Sequence, residues 1–412
     1  MLENKSIVLG VTGGIAAYKV ADLASRLHKA GAIIDVIMTE SAQKFIAPLT
    51  FQTLTQRPVI TDMFRLLSEM NIAHIALAKK ADVIAIAPAT ANTIAKLACG
   101  IADDMLSTTV LATRAPIVIA PSMETNMYEN PVTQENIARL RNRGAIIVEP
   151  AYGRLASGAI GTGRLAEIDD IEVAIRKVLA RQGDLAGKKV VVTSGGTQEP
   201  IDPVRFIGNR SSGKMGNALA EAARDRGAEV VLITAPALVP SPKGVSVVRV
   251  QTAVEMKRAV EEAVADADIL VMAAAVADYR AEQSVDHKIK RESVPELSVR
   301  LVRNPDILGE LCDSNVFKVG FAAESDDLIV NARSKLERKR LQLIVANSIT
   351  SPESAFGSDV NRVTLIDRFG GLAELPTLPK REVADLVFDR VVKLMGTSGS
   401  GGYQGQGLCV LI

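Results

Sequence analysis

Short apolar runs, many of them β-branched, alternate with longer helix-like runs along most of the 412-residue chain. Ile7–Val11 predicts a strand ending in Thr12-Gly13-Gly14, and Ile15–Ala30 a helix that Gly31 stops. Ile33–Met38 predicts a second strand, with Thr39 and Ser41 at its exit. A third, Asp82–Ala87, runs into Pro88-Ala-Thr-Ala-Asn-Thr93, then into helices over Ile94–Cys99 and Asp103–Thr113. Pro116–Ala120 is a further strand, leading into Pro121-Ser-Met-Glu-Thr-Asn-Met-Tyr128; a helix over Gln134–Arg143 and a strand over Ala145–Val148 follow. Strand–helix alternation at this spacing calls for a parallel sheet with right-handed crossovers.

The second half repeats the plan. Val190–Thr193 ends in Gly195-Gly196, as Ile7–Val11 ends in Gly13-Gly14. Arg226–Thr234 echoes Ala30–Thr39, and Asp268–Ala275 with its polar exit echoes Asp82–Ala87. The expected architecture is α/β, with two tandem doubly wound parallel sheets of the Rossmann or flavodoxin-like kind. The expected domains are 1–183 and 184–395, joined near Arg181–Gly187, with a Gly/Ser/Gln-rich disordered tail over 396–412. In such sheets ligands sit beyond the carboxyl ends of the strands, so each half should carry its own site.

Composition narrows the class. Hydrophobic residues make up 48% of the chain and aromatics only 3%, which suits Ala/Val/Ile/Leu-rich sheets covered on both faces. A net charge of +1 gives no reason to expect a nucleic-acid or anionic-membrane partner. Cys99, Cys312 and Cys409 are too far apart in sequence for a disulfide framework or zinc site, which points to a reducing cytoplasm. Met1–Ser6 leads straight into a strand, so no signal peptide is expected, and no apolar run is long enough to span a bilayer.

The densest chemistry lies in Asp202–Gly216, between the strand Lys188–Ser194 and a helix-like run, Asn217–Arg226. Arg205, Asn209, Arg210, Ser211, Ser212 and Lys214 share one loop with Gly213 and Gly216 beside a helix start. Unpaired N–H groups there favour an anion, most simply a phosphate. Gly208–Lys214 also fits G-x-x-x-x-G-K, but Met215 stands where a P-loop needs Ser or Thr for magnesium. A ligand-free surface loop is the third reading.

In the first half the strand exits supply Gly13, Gly14, Thr39, Thr90, Asn92, Ser107, Thr108 and Thr109. Neutral donors of this kind suit a planar, phosphate-bearing cofactor, and without G-x-G-x-x-G a flavin mononucleotide fits better than a dinucleotide. The alternative is that these residues only cap helices and turns. His74 sits in a helix-like run, Asn71–Ala78, and Cys99 in an apolar helix that should be core. Gly153–Leu165, with four glycines and two arginines, reads as a flap or a glycine-dense linker. In the second half Asp278, Lys288 and Lys290 follow the third strand. Arg303–Leu308 and Gly320–Glu324 follow two further strands, and the helix Leu328–Arg340 carries Lys335, Arg338 and Lys339. Those lysines either complement their own helix dipole or meet a polyphosphate nucleotide.

Together these residues resemble the bifunctional phosphopantothenoylcysteine decarboxylase/phosphopantothenate–cysteine ligase family of coenzyme A biosynthesis. The most specific pieces are Thr12–Lys19, Pro88–Thr93, Asp202–Gly216, Ala273–Tyr279, Lys288–Lys290 and Asn304–Ile307. For the second half the resemblance implies that CTP and Mg2+ activate 4′-phosphopantothenate as an acyl-cytidylate, which the cysteine amine then attacks. It implies that Asn209 and Arg205 hold the acyl-cytidylate. Ala273, Ala274, Asp278, Lys288, Pro305, Asp306, Ile307, Leu308, Phe321, Lys335 and Lys339 would surround CTP, Lys288 offsetting charge on the phosphate. For the first half it implies FMN-dependent decarboxylation with His74 essential, and a homo-oligomer whose flavin sites form between subunits.

Two positions depart from the family pattern. Glu124, beside Met123, stands where an Asn usually holds the substrate carboxylate, and two carboxylates repel unless one is protonated. Ser157 stands where a Cys usually donates the last proton, and a hydroxyl is a far weaker acid than a thiol at about 8.5. These departures bear on decarboxylation, not on FMN binding. The competing readings are an active ligase fused to a slow or silent flavin half, and a non-catalytic flavoprotein module. A nicotinamide dehydrogenase lacks its fingerprint here.

Overall fold

The computed structural model describes residues 2–63, 73–290, 297–324, 327–348 and 357–397. It comprises two compact units, Met1–Arg181 and Gln182–Ile412.

The first unit contains β1 (Ser6–Val11), α1 (Ala17–Lys29), β2 (Ile33–Met38), α2 (Pro48–Thr55), α3 (Ala73–Lys80), β3 (Val83–Ala89), α4 (Ala91–Cys99) and α5 (Met105–Ala112). There follow β4 (Ile117–Pro121), α6 (Thr125–Glu129), α7 (Pro131–Asn142), β5 (Ile146–Ile147), β6 (Ala151–Arg154), β7 (Ile160–Arg164) and α8 (Ile168–Leu179). Five strands in the order β2-β1-β3-β4-β5 are parallel throughout. The strand period of two splits β1 between two cores. Ile7, Leu9 and Val11 pack with α1 and α8, while Val8 packs with residues of α4, α5 and α7. Each fully buried aliphatic side chain of this kind contributes about 1.5–3 kcal/mol. The expected flap is a hairpin of β6 and β7. Cys99, expected in the core, is exposed: it is the last residue of α4, just before the left-handed Gly100. Residues 71–72 of the expected Asn71–Ala78 helix lie outside the described residues; the rest, from Ala73, is helical.

The second unit contains β8 (Lys189–Ser194), β9 (Gln198–Pro200), β10 (Phe206–Gly208), α9 (Lys214–Asp225), β11 (Glu229–Thr234), β12 (Ser246–Arg249), α10 (Ala253–Val264), β13 (Ile269–Met272), β14 (Tyr279–Ala281) and β15 (Leu301–Arg303). Then come α11 (Ile307–Glu310), β16 (Phe317–Glu324), α12 (Leu328–Arg338), β17 (Leu343–Ser348), β18 (Val360–Asn361), β19 (Val363–Asp367), β20 (Leu372–Glu374), β21 (Leu378–Pro379) and α13 (Lys380–Thr397). Its main sheet runs β12-β11-β8-β13-β16-β17-β19-β20. The purely parallel expectation fails at one edge, where β19 lies antiparallel to β17 and β20 antiparallel to β19. Only residues 368–371 join β19 to β20, and a parallel crossover needs a dozen or so. Gly320–Glu324, expected as a strand exit, is itself strand, paired on to β17. Residues 396 and 397, expected in the tail, close α13; 398–412 lie outside the described residues. Helix α9 starts three residues before the expected Asn217, because Gly213 (φ 76°) supplies a left-handed N-cap. Among the described residues no helix is long and apolar enough to cross a membrane.

Candidate active sites

In the first unit the strand ends converge on Thr12. This buried residue donates its hydroxyl to the Pro88 carbonyl at 2.7 Å and accepts from the Thr90 N–H at 3.0 Å. The exits of β1 and β3 are thereby stitched together. Beside them lies a cavity of about 580 Å³, walled by the Gly13-Gly14 turn, Tyr18, Thr90, Met123, Glu124, Arg154, Ser157 and Arg164, among others. No side chain caps α1, so the turn between Gly13 and Ala16 offers backbone donors to a phosphate. The hairpin closes the opposite wall: Met123 N–H donates to Gly163 O at 2.9 Å, and a side chain at Gly163 (φ 150°) would collide with the Met123 carbonyl. Arg164 Nε in the wall and Thr125 Oγ1, next to Glu124, are buried without a partner among the described residues. Hydroxyls, backbone N–H groups, spare polar capacity and largely aliphatic walls fit a phosphorylated planar ring such as FMN.

Glu124 caps α6, its carboxylate accepting the Asn126 N–H at 2.6 Å. Tyr128 donates to Glu149 at 2.7 Å; burial and that carboxylate push its phenol up to about 12. Ser157 is exposed in the turn of the hairpin, where its hydroxyl accepts from the Ala159 N–H at 3.4 Å.

In the second unit Thr193, fully buried, accepts the N–H groups of Ala273 and Ala274 at 3.1 Å each. This shapes the turn after β13. Two adjoining cavities of about 730 and 490 Å³ open there and share Ala274, Val276, Asp278, Phe321 and Lys335. The larger adds Arg303, Pro305, Asp306, Ile307, Leu308, Arg338 and Lys339. The smaller adds Asn209–Gly213, Ala273, Asn347, Asn361 and Lys380. Asn304 joins the rims, donating to Ala277 O at 2.8 Å, while its own N–H reaches Asp278 O at 2.9 Å.

Asp306 caps α11 and pairs with Lys339 at 2.8 Å. Burial alone would raise its carboxyl, but the Lys339 ammonium and the Gly309 N–H hold it below the ordinary range. Lys335 donates to Phe321 O at 3.2 Å. Lys318, 1% exposed, donates to the carbonyls of Leu311 and Cys312 at 2.8 and 2.9 Å and secures the stretch after α11 from inside. Burial pushes the ammonium of Lys380 down, and Lys214 nearby adds to the effect.

Sequence comparison supplies the family. A flavoprotein model matches residues 1–180, and the model of the DNA/pantothenate metabolism flavoprotein C-terminal domain matches 185–395. The coenzyme A biosynthesis bifunctional protein CoaBC of Bacillus subtilis is 45% identical over 404 residues, covering 97% of this chain and 99% of the relative. The chain belongs to the CoaBC family. The Vibrio vulnificus CoaBC is 43% identical, covering 96% of this chain and 99% of that one. Among solved structures, the FMN-dependent cysteine decarboxylase SpaF is 34% identical over 43% of this chain and 99% of its own, at a TM-score of 0.39.

Against the residues expected of a CoaBC family member, the first cavity gathers Gly13, Gly14, Thr90, Met123, Glu124 and Ser157. It does not gather Thr39, which accepts from the Ala42 N–H, or Asn92, which is exposed on α4. Ser107 is committed to a capping box with Asp104. His74 lies on α3 outside the cavity walls, with Nδ1 buried and lacking a partner among the described residues. The second pair of cavities gathers Asn209, Ala273, Ala274, Asp278, Pro305, Asp306, Ile307, Leu308, Phe321, Lys335 and Lys339. Arg205 and Lys288 line neither: Arg205 is bonded to Asp202 at 2.6 Å, and Lys288 is exposed. Asn361 and Lys380 were missed. They follow β17 by a dozen residues or more, and no local motif marks them.

Proposed function

We propose that the two units carry out consecutive steps, ligation in the stretch 184–395 and decarboxylation in 1–183. The chain is a bifunctional enzyme of coenzyme A biosynthesis, with ligase and decarboxylase activities, and it binds FMN. Similarity to CoaBC relatives along nearly the whole chain favours two activities over a silent flavin half.

The paired cavities carry the ligase reading. Lys335, Arg338 and Lys339 place three cationic side chains in the wall shared with Pro305–Leu308 and Phe321, which suits a nucleoside triphosphate; we assign CTP with its magnesium here. The 4′-phosphopantothenate carboxylate oxygen attacks the α-phosphorus and pyrophosphate leaves. The acyl end then faces Asn209 in the adjoining cavity, held by the bond of Asn209 Nδ2 to Val276 O at 3.0 Å. The cysteine nitrogen attacks the acyl carbon, CMP leaves and the amine loses a proton, while Lys288 offsets charge on the departing phosphate.

In the first unit, FMN supplies transient oxidation of the substrate's thiol end, which lets carbon dioxide leave. The Gly13-Gly14 turn and Thr90 bind its phosphate. Glu124 is held as an acceptor by the Asn126 N–H, and Arg154 and Arg164 in the same wall bring positive charge to the substrate carboxylate. The Ser157 hydroxyl supplies the last proton from the hairpin turn. Ile15, Tyr18 and Met127, exposed apolar residues of this wall, suit cover by a second copy, so we infer a homo-oligomer in which His74 meets the site.

The test is incubation with 4′-phosphopantothenate, cysteine, CTP and magnesium. Pyrophosphate, phosphopantothenoylcysteine and then carbon dioxide are expected. No CTP-dependent pyrophosphate would overturn the ligase assignment, and product without carbon dioxide the decarboxylase assignment.

A further inference from the structure

Asp202 is a buried carboxylate near the second site, and the ligation chemistry above does not use it. Its side chain is fully buried. Oδ1 accepts the N–H groups of Val204 at 2.8 Å and Arg205 at 2.7 Å, so it closes the turn that opens the Asp202–Gly216 loop. Oδ2 accepts Arg205 Nη1 at 2.6 Å and the Ile289 N–H at 3.3 Å. The same guanidinium donates back to Ile289 O at 3.2 Å. A little earlier, the Val285 N–H donates to Ile201 O at 3.1 Å. The stretch 285–289 is thus pinned at both ends to the 201–205 turn, and Lys288 is the residue just before the upper pin.

These bonds explain why Arg205 lines neither cavity. Its guanidinium serves as a bracket between Asp202 and the Lys288 segment. A carboxylate with several donors is the strong form of such a bracket, because charge-assisted bonds are about twice as strong as neutral ones. The same donors outweigh the burial that would raise this carboxyl and hold it down at about 2, so it stays ionised.

We propose that Asp202 is a positioning residue for ligation: through Arg205 and the Ile289 amide it fixes the backbone beside Lys288, whose exposed side chain reaches from outside the two cavities toward the developing phosphate charge. This rests on the role given to Lys288 above. Misplacement by about 1 Å of a group at the reacting centre costs on the order of 100-fold in rate, which sets the expected size.

The experiment is a double-mutant cycle on the full chain with Asp202→Asn and Lys288→Gln, following CTP-dependent ligation. Asp202→Asn should lower kcat about 10- to 100-fold, with the KM for CTP held within about threefold. In the Lys288→Gln background the same change should cost less than about threefold more. Additive losses, or full kcat in Asp202→Asn, overturn the proposal. A Lys288→Gln enzyme at full rate removes the lysine's role, and the proposal falls with it. Failure of the unaltered protein to release pyrophosphate instead strikes the ligase assignment. Should Asp202→Asn not fold, hydrogen exchange at the Ile289 amide of the unaltered protein decides. Protection at that amide is expected, and exchange at open-chain rates overturns the bracket.

Discussion

Thr12 in the first unit and Thr193 in the second do the same job. Each is buried at the end of the first strand of its sheet, and each bonds across to the exit of a neighbouring parallel strand, β3 in the first unit and β13 in the second. The loops they position differ in charge. The first cavity combines Lys19, Arg154 and Arg164 with Glu124, glycines and aliphatic groups. The paired cavities of the second unit bring Arg303, Lys335, Arg338 and Lys339 to one rim against Asp278 and Asp306, with Arg210 and Lys380 in the neighbouring cavity. The scaffold therefore decides where a ligand sits, and the loops decide how much negative charge it carries. A flavin monophosphate suits the first rim and a triphosphate the second.

The sharpest way to break that comparison is to strip charge from the second rim. Lys335→Gln combined with Lys339→Gln should raise the KM for CTP at least 100-fold, since each bond to a charged group is worth about 1.5–3 kcal/mol. Flavin absorbance of the purified protein should not change. Equal loss of flavin would mean the two rims are not independent.

Next in size are the two threonines. Thr12→Val and Thr193→Val each strand polar backbone groups, so each should destabilise its own unit by about 2 kcal/mol. Thermal unfolding followed by flavin release reports the first, and CTP-dependent protection the second. If both variants moved only one transition, the parallel between the two threonines would not hold.

A smaller effect is expected at the hairpin turn. Ser157→Cys puts a stronger acid at the same place and should raise carbon dioxide-coupled turnover about tenfold, a part of the roughly 100- to 10,000-fold that general acid catalysis contributes in full. Ligation should be unaffected. A slower decarboxylation would show that the hydroxyl is not the proton source.

The smallest effect is one of pH. The carboxyl of Asp202 is held below its unfolded value, down to about 2. Its stabilisation is then complete above the ordinary aspartate pKa of about 4 and is lost as pH falls toward about 2. Denaturant unfolding of the unaltered protein and Asp202→Asn should differ most above that window and converge below it. A gap constant across the window would contradict the assignment.

Much of this was legible in residue order. The cadence of strand, glycine and helix located β1, β2 and β8 to within a residue or so, and with them the rims that hold Gly13, Gly14, Ala273, Ala274 and Asp278. Gly213 as the N-cap of α9 was less visible, because a left-handed cap is a backbone state that residue types only permit. Thr39, Asn92 and Ser107 were expected to face a ligand, yet two of them bond local backbone or a cap and one faces solvent. Ser and Thr near helix starts compete for both roles, and spacing does not separate them.

Apolar periodicity alone therefore determined two doubly wound units and the ends of the sheets at which the cavities open, because strand and helix periods are local properties of the chain. The antiparallel edge at β19 and β20, the arrival of Lys380 at a cavity it shares with Asn209, and the diversion of Arg205 onto Asp202 were decided in three dimensions. Each depends on which distant segments meet, and on which buried charges must then be paired, and no window of sequence contains that information.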